Sequence, residues 1–276
     1  WETRAFPPEV VNEGGYIRYG GDGRIYAYQG GTTAFWVYDI VNDSWAVLEP
    51  TSGSTGAGAS LVWAGSNDIY GTLGGGSATF RHYDIGTGNW TGMASYPADP
   101  ADPAGGIGGG GGLSYVNITF VVAGDTYAFN HIYATRGGGN TDFYRYDPGT
   151  DTWEVRDSPA TGITSGGTLR WDGRGFIFAF MGGSDDMMRY NLLRDVWLTA
   201  LTPTTESITD GGAICTDGTN YIYALQGEGN KFWRYNITTD FIWEEMASTP
   251  ANVSGGAALA YTGAHIYALC GNNTND

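Results

Sequence analysis

Lysine is almost missing from this chain. It occurs once, at Lys231, and twelve arginines complete the basic set against 29 acidic residues. The formal net charge of −16 repels nucleic acid and anionic membrane surfaces, so neither is expected as a partner. Long apolar runs are missing too. None approaches the roughly 18 residues of a membrane-crossing helix, and no membrane span is expected. Histidine occurs three times (His82, His131, His265), at different places in the pattern described below, which gives no shared metal site. The glycine run Gly108 to Gly112 lacks the Lys and Ser/Thr of a phosphate loop. No Gly-x-Ser-x-Gly elbow is present, and no Asp-x-Asp-x-Asp-Gly calcium loop. With no catalytic, metal or cofactor set, the expectation is a protein that is not an enzyme.

What the chain does have is glycine, 46 residues, and aromatics, 14% of the total. Glycine shows no three-residue period, and disordered chains lack this aromatic content. The pairing suits many short strands joined by tight turns. A repeat then sets the architecture. An apolar-Tyr-Ala strand begins at Ile25, Ile69, Ile132, Ile177, Ile222 and Ile266, in steps of 44, 63, 45, 45 and 44. A Trp closes each unit at Trp1, Trp45, Trp90, Trp153, Trp197 and Trp243, in steps of 44, 45, 63, 44 and 46. Two independent markers share one period and one long unit.

Four short strands fit inside each unit. Strand a follows a small-residue pair such as Gly14-Gly15 or Gly166-Gly167, strand b is Ile25-Tyr26-Ala27-Tyr28 and its equivalents, and glycines end it. Strand c carries Phe35 with Tyr38, Phe80 with Tyr83, Phe143 with Tyr146, and Phe232 with Tyr235; the fourth unit has Met187 with Tyr190. A polar turn leads to strand d at the Trp. Sheets of this size cannot bury both faces alone, so they stack radially, with Tyr and Trp filling the wide outer wedge.

The glycine doublet after strand b, the Tyr, and a Trp seven residues beyond it (Tyr38 and Trp45, Tyr83 and Trp90, Tyr146 and Trp153, Tyr190 and Trp197) resemble the kelch repeat. The resemblance covers nearly the whole chain. It departs in the fifth unit, where Gly227-Glu228-Gly229 breaks the doublet and Trp243 falls eight after Tyr235. It implies an all-β, six-bladed β-propeller of four-stranded antiparallel blades, one domain over 1–276. The blades fall near 14–50, 58–96, 110–158, 166–203, 211–250, and 255–276 with 1–8. Kelch propellers include enzymes, sugar-acid isomerases, adhesive modules and protein-binding platforms, so the motif specifies fold rather than function. The copper-radical oxidases of this kind use a Cys-Tyr pair with His ligands, and no such set is visible here.

Closure is the informative departure. The last unit has strands a and b, and Trp1-Glu2-Thr3 matches the strand d pattern of Trp153-Glu154-Val155. The N-terminus is therefore expected as a strand clasping the last blade, with Trp1 as its Trp. About ten residues, corresponding to strand c, have no counterpart. Three readings stand: an incomplete sequence, an irregular closure by residues 272–276, or a strand from a neighbouring subunit. The third unit carries the other departure. A Pro/Ala/Asp-rich linker, Pro97 to Ala104, precedes Val116 to Val122 and Tyr127 to Phe129, which read as an elongated hairpin standing off the rim. Asn117, Ile118, Phe120, Val122 and Tyr127 on it, with Trp1 and Ile266 at the closure, are the expected assembly residues.

Six N-glycosylation sequons, at Asn42, Asn89, Asn117, Asn236, Asn252 and Asn272, favour an extracellular or cell-surface location. In that setting Cys215 and Cys270, on neighbouring blades, are a candidate disulfide, with two unpaired thiols as the alternative. The loops at one channel mouth carry Glu13, Asp99, Asp102, Asp142, Asp157, Asp185, Asp186, Glu206, Asp210 and Glu228. They are read as solvated charge, with Ca²⁺ or acid/base work as the sharper alternative. The leading functional reading is a non-enzymatic, glycosylated surface or filament-forming subunit that self-associates or meets other surface proteins. The rivals are a glycan- or protein-binding module, with Trp36 and Asp185 at the mouth, and a carbohydrate-active enzyme using the mouth carboxylates.

Overall fold

The structure, a computed structural model, describes residues 1–98, 105–198, 201, 204 and 206–271. Five of its sheets have four strands in simple up-and-down order. The first contains β1 (Tyr16–Tyr19), β2 (Arg24–Tyr28), β3 (Phe35–Asp39) and β4 (Ser44–Val47). The second contains β5 (Ser60–Trp63), β6 (Asp68–Thr72), β7 (Phe80–Asp84) and β8 (Asn89–Gly92). The third has β9 (Gly112–Val122), β10 (Asp125–Thr135), β11 (Phe143–Asp147) and β12 (Thr152–Val155). The fourth has β13 (Thr168–Trp171), β14 (Phe176–Phe180), β15 (Met187–Asn191) and β16 (Val196–Leu198). The fifth has β17 (Ala213–Thr216), β18 (Tyr221–Leu225), β19 (Phe232–Asn236) and β20 (Trp243–Glu245). A sixth sheet has only β21 (Ala258–Tyr261) and β22 (Ile266–Leu269).

The sheets form a ring. The innermost strands stand side by side in the order β1, β5, β9, β13, β17, β21 and back to β1. Six apolar clusters fill the six gaps between consecutive sheets. Leu61 and Tyr83 meet Tyr28 and Phe35 in the first gap, and Ala258 and Leu269 meet Ile17, Trp36 and Tyr38 in the last. This is a β-propeller. One glycine slot explains how the sheets approach so closely. Gly14, Gly58, Gly110, Gly166, Gly211 and Gly256 precede the six inner strands with φ between 79° and 88°. A Cβ on Gly58 would lie 2.0 Å from the Gly108 carbonyl oxygen of the next sheet, and one on Gly256 would lie 2.1 Å from that of Asn12. Both the left-handed φ and the contact exclude a side chain there. The Gly256 contact closes the ring between the sixth sheet and the first.

The aromatic wedge repeats around the outside. Phe35 meets Tyr83 and Trp90 of the next blade at 4.9 Å each, Phe80 meets Tyr146 and Trp153 at 4.8 and 5.0 Å, and Phe143 meets Tyr190 and Trp197 at 4.8 and 4.9 Å. The Trp indole N–H reaches back one blade to a backbone carbonyl. Trp45 donates to Ala5 (2.8 Å), Trp90 to Glu49 (3.0 Å), Trp153 to Ala94 (2.9 Å) and Trp197 to Asp157 (2.8 Å). In each case the acceptor lies four residues after the preceding Trp.

Two sequence expectations change here. Six four-stranded blades were expected, and the described residues form five. No strand forms over residues 1–8, although Trp1 occupies its expected place. Its indole donates to Ala247 at 2.8 Å, again four residues after the preceding Trp, and its ring meets Phe232 edge-on at 5.0 Å. The physical reason is local: a strand needs a partner ladder, and nothing among the described residues lies between this segment and β22. The Trp1 ring docks, while the backbone of this segment joins no strand ladder among the described residues.

The elongated hairpin is present. β9 and β10 pair over eleven residues each, from Gly112 opposite Thr135 to Val122 opposite Asp125. Its tip, Ala123 and Gly124, has φ of 53° and 94°, as a two-residue type I′ turn requires.

Candidate functional site

The feature that departs from the repeat lies at the sixth sheet. A cleft of about 910 Å³ opens between β22 and the segment Trp1 to Pro7. Its floor includes Phe232 and Tyr223 of the fifth sheet and Ile25, Tyr38 and Trp45 of the first. β22 pairs with β21 on one side through Ile266 opposite Tyr261 to Leu269 opposite Ala258. Its other edge has no ladder among the described residues. In the complete first blade, the strand in this place pairs Ile25 with Tyr38, Ala27 with Trp36 and Tyr28 with Phe35, and Tyr38 pairs onward with Trp45. Exposure follows. Ile25 to Tyr28 are all buried, whereas Ile266, Tyr267 and Ala268 are only half-buried.

Hydrogen bonds tie the N-terminal wall to the first blade. The Asp43 carboxylate accepts the Tyr38 hydroxyl at 2.6 Å and the Ala5 backbone N–H at 2.8 Å. The same device recurs in the third blade, where Asp151 accepts from Tyr146 and from Ala94 N–H. Both aspartates sit at a left-handed turn position, φ 48° and 54°. The Tyr38 hydroxyl and the Ala5 N–H hold the Asp43 carboxyl below its ordinary value.

The channel axis is the second place where polar groups gather. A small cavity of about 80 Å³ is lined from all six sheets, mainly by the glycine turns, with Glu13 and Asp210 at its mouth and Tyr16, Thr168 and Arg170 deeper in. Sequence reasoning passed over Arg18 and Arg170. Their signal was available: both occupy the same slot of an inner strand, flanked by apolar residues (Ile17 and Leu169).

Of the predicted mouth carboxylates, Glu13 and Asp210 reach the axis. Asp142 is held by the Arg136 guanidinium at 2.8 Å and the Tyr144 hydroxyl at 2.9 Å. Glu206 accepts from Gln226 at 2.7 Å. Asp157 is on the outer rim, accepting the Trp197 backbone N–H at 3.1 Å, and not at the mouth. Trp36 is 2% exposed in the blade 1 core, so it is not a mouth residue either. Asp99 and Asp102 lie outside the described residues. Among the described residues no group of three or more His, Cys, Asp or Glu could hold a metal ion. His82 bonds Asp68 at 2.7 Å, and His131 accepts the Asn130 backbone N–H.

Asn42, Asn89, Asn117 and Asn252 are exposed. Asn236 is half-buried and caps its own turn, its carbonyl oxygen accepting the N–H groups of Thr238 and Thr239; Asp39 plays the same part in the first blade. Asn272 lies outside the described residues. Cys215 is buried in the apolar cluster between the fifth and sixth sheets, and Cys270 packs against that cluster; no bond joins the two sulfurs in the structure. On the long hairpin, Asn117, Val122 and Tyr127 face outward, and Val121 is 71% exposed. Ile118 and Phe120 turn instead onto the blade 4 cluster beside Phe129 and Trp171.

No protein-family model matches the chain, and no curated protein sequence matches it. Solved structures do. The chain is similar to the structure of YjhT (13% identity, TM-score 0.66), covering 92% of this chain and 89% of that one. It is also similar to streptogramin B lyase (16% identity, TM-score 0.62), with 97% and 78% covered. At these identities the likeness is one of fold, and it places the chain among the β-propellers.

Proposed function

We propose that the chain is a non-enzymatic propeller of kelch type, laid out for six blades, that serves as an extracellular surface or filament-forming subunit. Its sixth blade takes its third strand from a neighbouring subunit. The cleft beside β22 carries this reading. It has the walls of a strand site: a ladder edge at Ile266 to Leu269 that is unpaired among the described residues on one side, and a docked Trp1 on the other. Strand addition to such an edge supplies backbone hydrogen bonds, and alternate side chains supply specificity.

The other blades specify the occupant. It is an extended segment of the pattern Phe-aromatic-x-Tyr-Asp/Asn, as in Phe35–Asp39, Phe143–Asp147 and Phe232–Asn236; Phe80–Asp84 and Met187–Asn191 keep the Tyr and the Asp/Asn. Its Tyr would lie opposite Ile266 and against Trp1, and its Phe would reach Tyr38 and Trp45, as Phe35 reaches Tyr83 and Trp90. The Tyr–Trp spacing of seven, which pairs the two rings across strands c and d, supports the kelch assignment. The exposed sequons at Asn42, Asn89, Asn117 and Asn252 support a glycan-bearing outer surface. The outward residues of the long hairpin, Val121, Val122 and Tyr127, offer a second contact with surface partners.

The test is assembly. Sedimentation and electron microscopy should show concentration-dependent oligomers or filaments. A synthetic peptide spanning the sequence Lys231 to Thr238 should dissolve them by occupying the cleft. A particle that stays monomeric at every concentration and ignores the peptide would overturn the proposal.

A further inference from the structure

Two arginines, Arg18 and Arg170, stand on inner strands of the ring, and among the described residues no ion pair joins either to a carboxylate. Arg170, on β13, is 5% exposed. Its Nε and Nη2 donate to the Ile214 carbonyl at 3.2 and 3.0 Å, and its Nη1 is buried with no hydrogen-bond partner. Arg18, on β1, lies near enough to feel the Arg170 charge, and the other groups acting on it are the Tyr16 phenol and the Cys215 thiol. Burial first, and Arg170 second, push the Arg18 guanidinium down to about 9. Burial alone would raise the Tyr16 phenol; the Arg170 and Arg18 charges, with hydrogen bonding to Ser60 and Arg170, together hold it below its ordinary value.

The contrast with Arg136 is instructive. That guanidinium is 4% exposed and fully engaged, by Asp142, by the carbonyls of Pro97 and Gly105, and by the Tyr144 hydroxyl. A buried cation is retained when it is paired and hydrogen-bonded, and one without a counter-charge, such as Arg170, is costly. The axial cavity of about 80 Å³ reaches Tyr16 and Arg170 and has room for a small ion; its acidic lining residues, Glu13 and Asp210, belong to the loops before β1 and β17. We infer that this cavity binds a small oxyanion on Arg170, with the Tyr16 hydroxyl as a further donor and the nearby Arg18 adding positive charge. Guanidinium groups match the planar geometry of a carboxylate. Glu13 and Asp210 at the mouth disfavour highly charged ions, so the ligand class is a small monocarboxylate. The inference is independent of strand exchange at the sixth sheet.

Formate is the probe. Thermal unfolding of the whole chain in rising formate should show a saturable increase in Tm, absent with a bulky aryl sulfonate at equal ionic strength. Formate heats measured by calorimetry should weaken at least tenfold in Arg170→Gln and in Arg18→Gln, and remain unchanged in Arg145→Gln on the outer face of blade 3. Equal responses to formate and sulfonate in the wild-type chain, or no response to either, would overturn the inference even if the axial variants failed to fold. So would an Arg170→Gln chain that folds and binds formate as the wild type does.

Discussion

The fifth blade and the sixth sheet begin alike and end differently. Each has an inner strand behind a positive-φ glycine, Gly211 or Gly256, and each places an apolar residue, Ile214 or Leu259, into the ring of inner strands. Then β18 gains β19 as its next ladder, and β22 gains none among the described residues. The consequence is confined to the outer half. Inner packing around the sixth sheet is complete, with Leu259 and Leu269 buried at 1% and 4%, while Ile266 and Ala268 lack the cover that Ile222 and Ala224 have in β18. Ring closure and blade completion are therefore separable in this molecule. The first depends on glycine turns and inner strands, and the second on the aromatic pairs of strands c and d.

That separation can be broken from the inside first. Gly256→Ala forces a Cβ against the Asn12 carbonyl at a left-handed φ, and should cost about 3 kcal/mol or more, as Gly58→Ala should in a complete blade. Chemical denaturation of both variants checks this. A near-neutral Gly256→Ala beside a damaging Gly58→Ala would mean that the sixth sheet is not an equal member of the ring. The outer half should behave in the opposite way. Trp45→Ala removes a ring packed on Tyr38 and Trp36 and an indole hydrogen bond, an expected loss of about 3 kcal/mol. Trp1 is 47% exposed, and Trp1→Ala should cost only about 1 kcal/mol. The gap between the two should narrow once a strand-c peptide is bound.

Acid should loosen the N-terminal wall. The folded Asp43 carboxyl is depressed by the Tyr38 hydroxyl and the Ala5 N–H, so its contribution is present above the unfolded value of about 3.9. It is lost as pH falls through the lower folded value. Exchange of the Ala5 amide, followed from pH 5 downward, should accelerate more than that of amides in β2. The smallest effect belongs to the long hairpin. Val121→Ser at its exposed tip should leave stability within about 0.5 kcal/mol. Any change in assembly by this variant would then report a contact rather than a folding defect.

The period of the sequence made the sheets legible, because Ile and Trp markers mark buried strand positions that recur at fixed distance. Trp1 as the last Trp was legible for the same reason, and its indole bond and its contact with Phe232 match that reading. The absence of a strand at residues 1–8 was not legible, since a local pattern cannot show whether a ladder partner is present. The mouth carboxylates misled at Asp157 because a loop residue in the sequence carries no sign of which rim it occupies. Arg18 and Arg170 were readable as charges inside apolar strands. That their partners lie across the axis, on β1, β13 and β17, depends on ring geometry that no local motif encodes. Asn236 shows the same limit: its sequon is intact, yet its side chain serves as the turn cap that Asp39, Asp84 and Asp147 supply elsewhere.

Amide hydrogen exchange along β22, with and without the Lys231 to Thr238 peptide, tests the central claim most directly. The account predicts fast exchange for the outward amides of Ile266 to Leu269 in the dilute chain, slowing with peptide to the level of Ile222 to Leu225 in β18. Amides in β22 that are already as protected as those of β18, and unchanged by peptide, would contradict it.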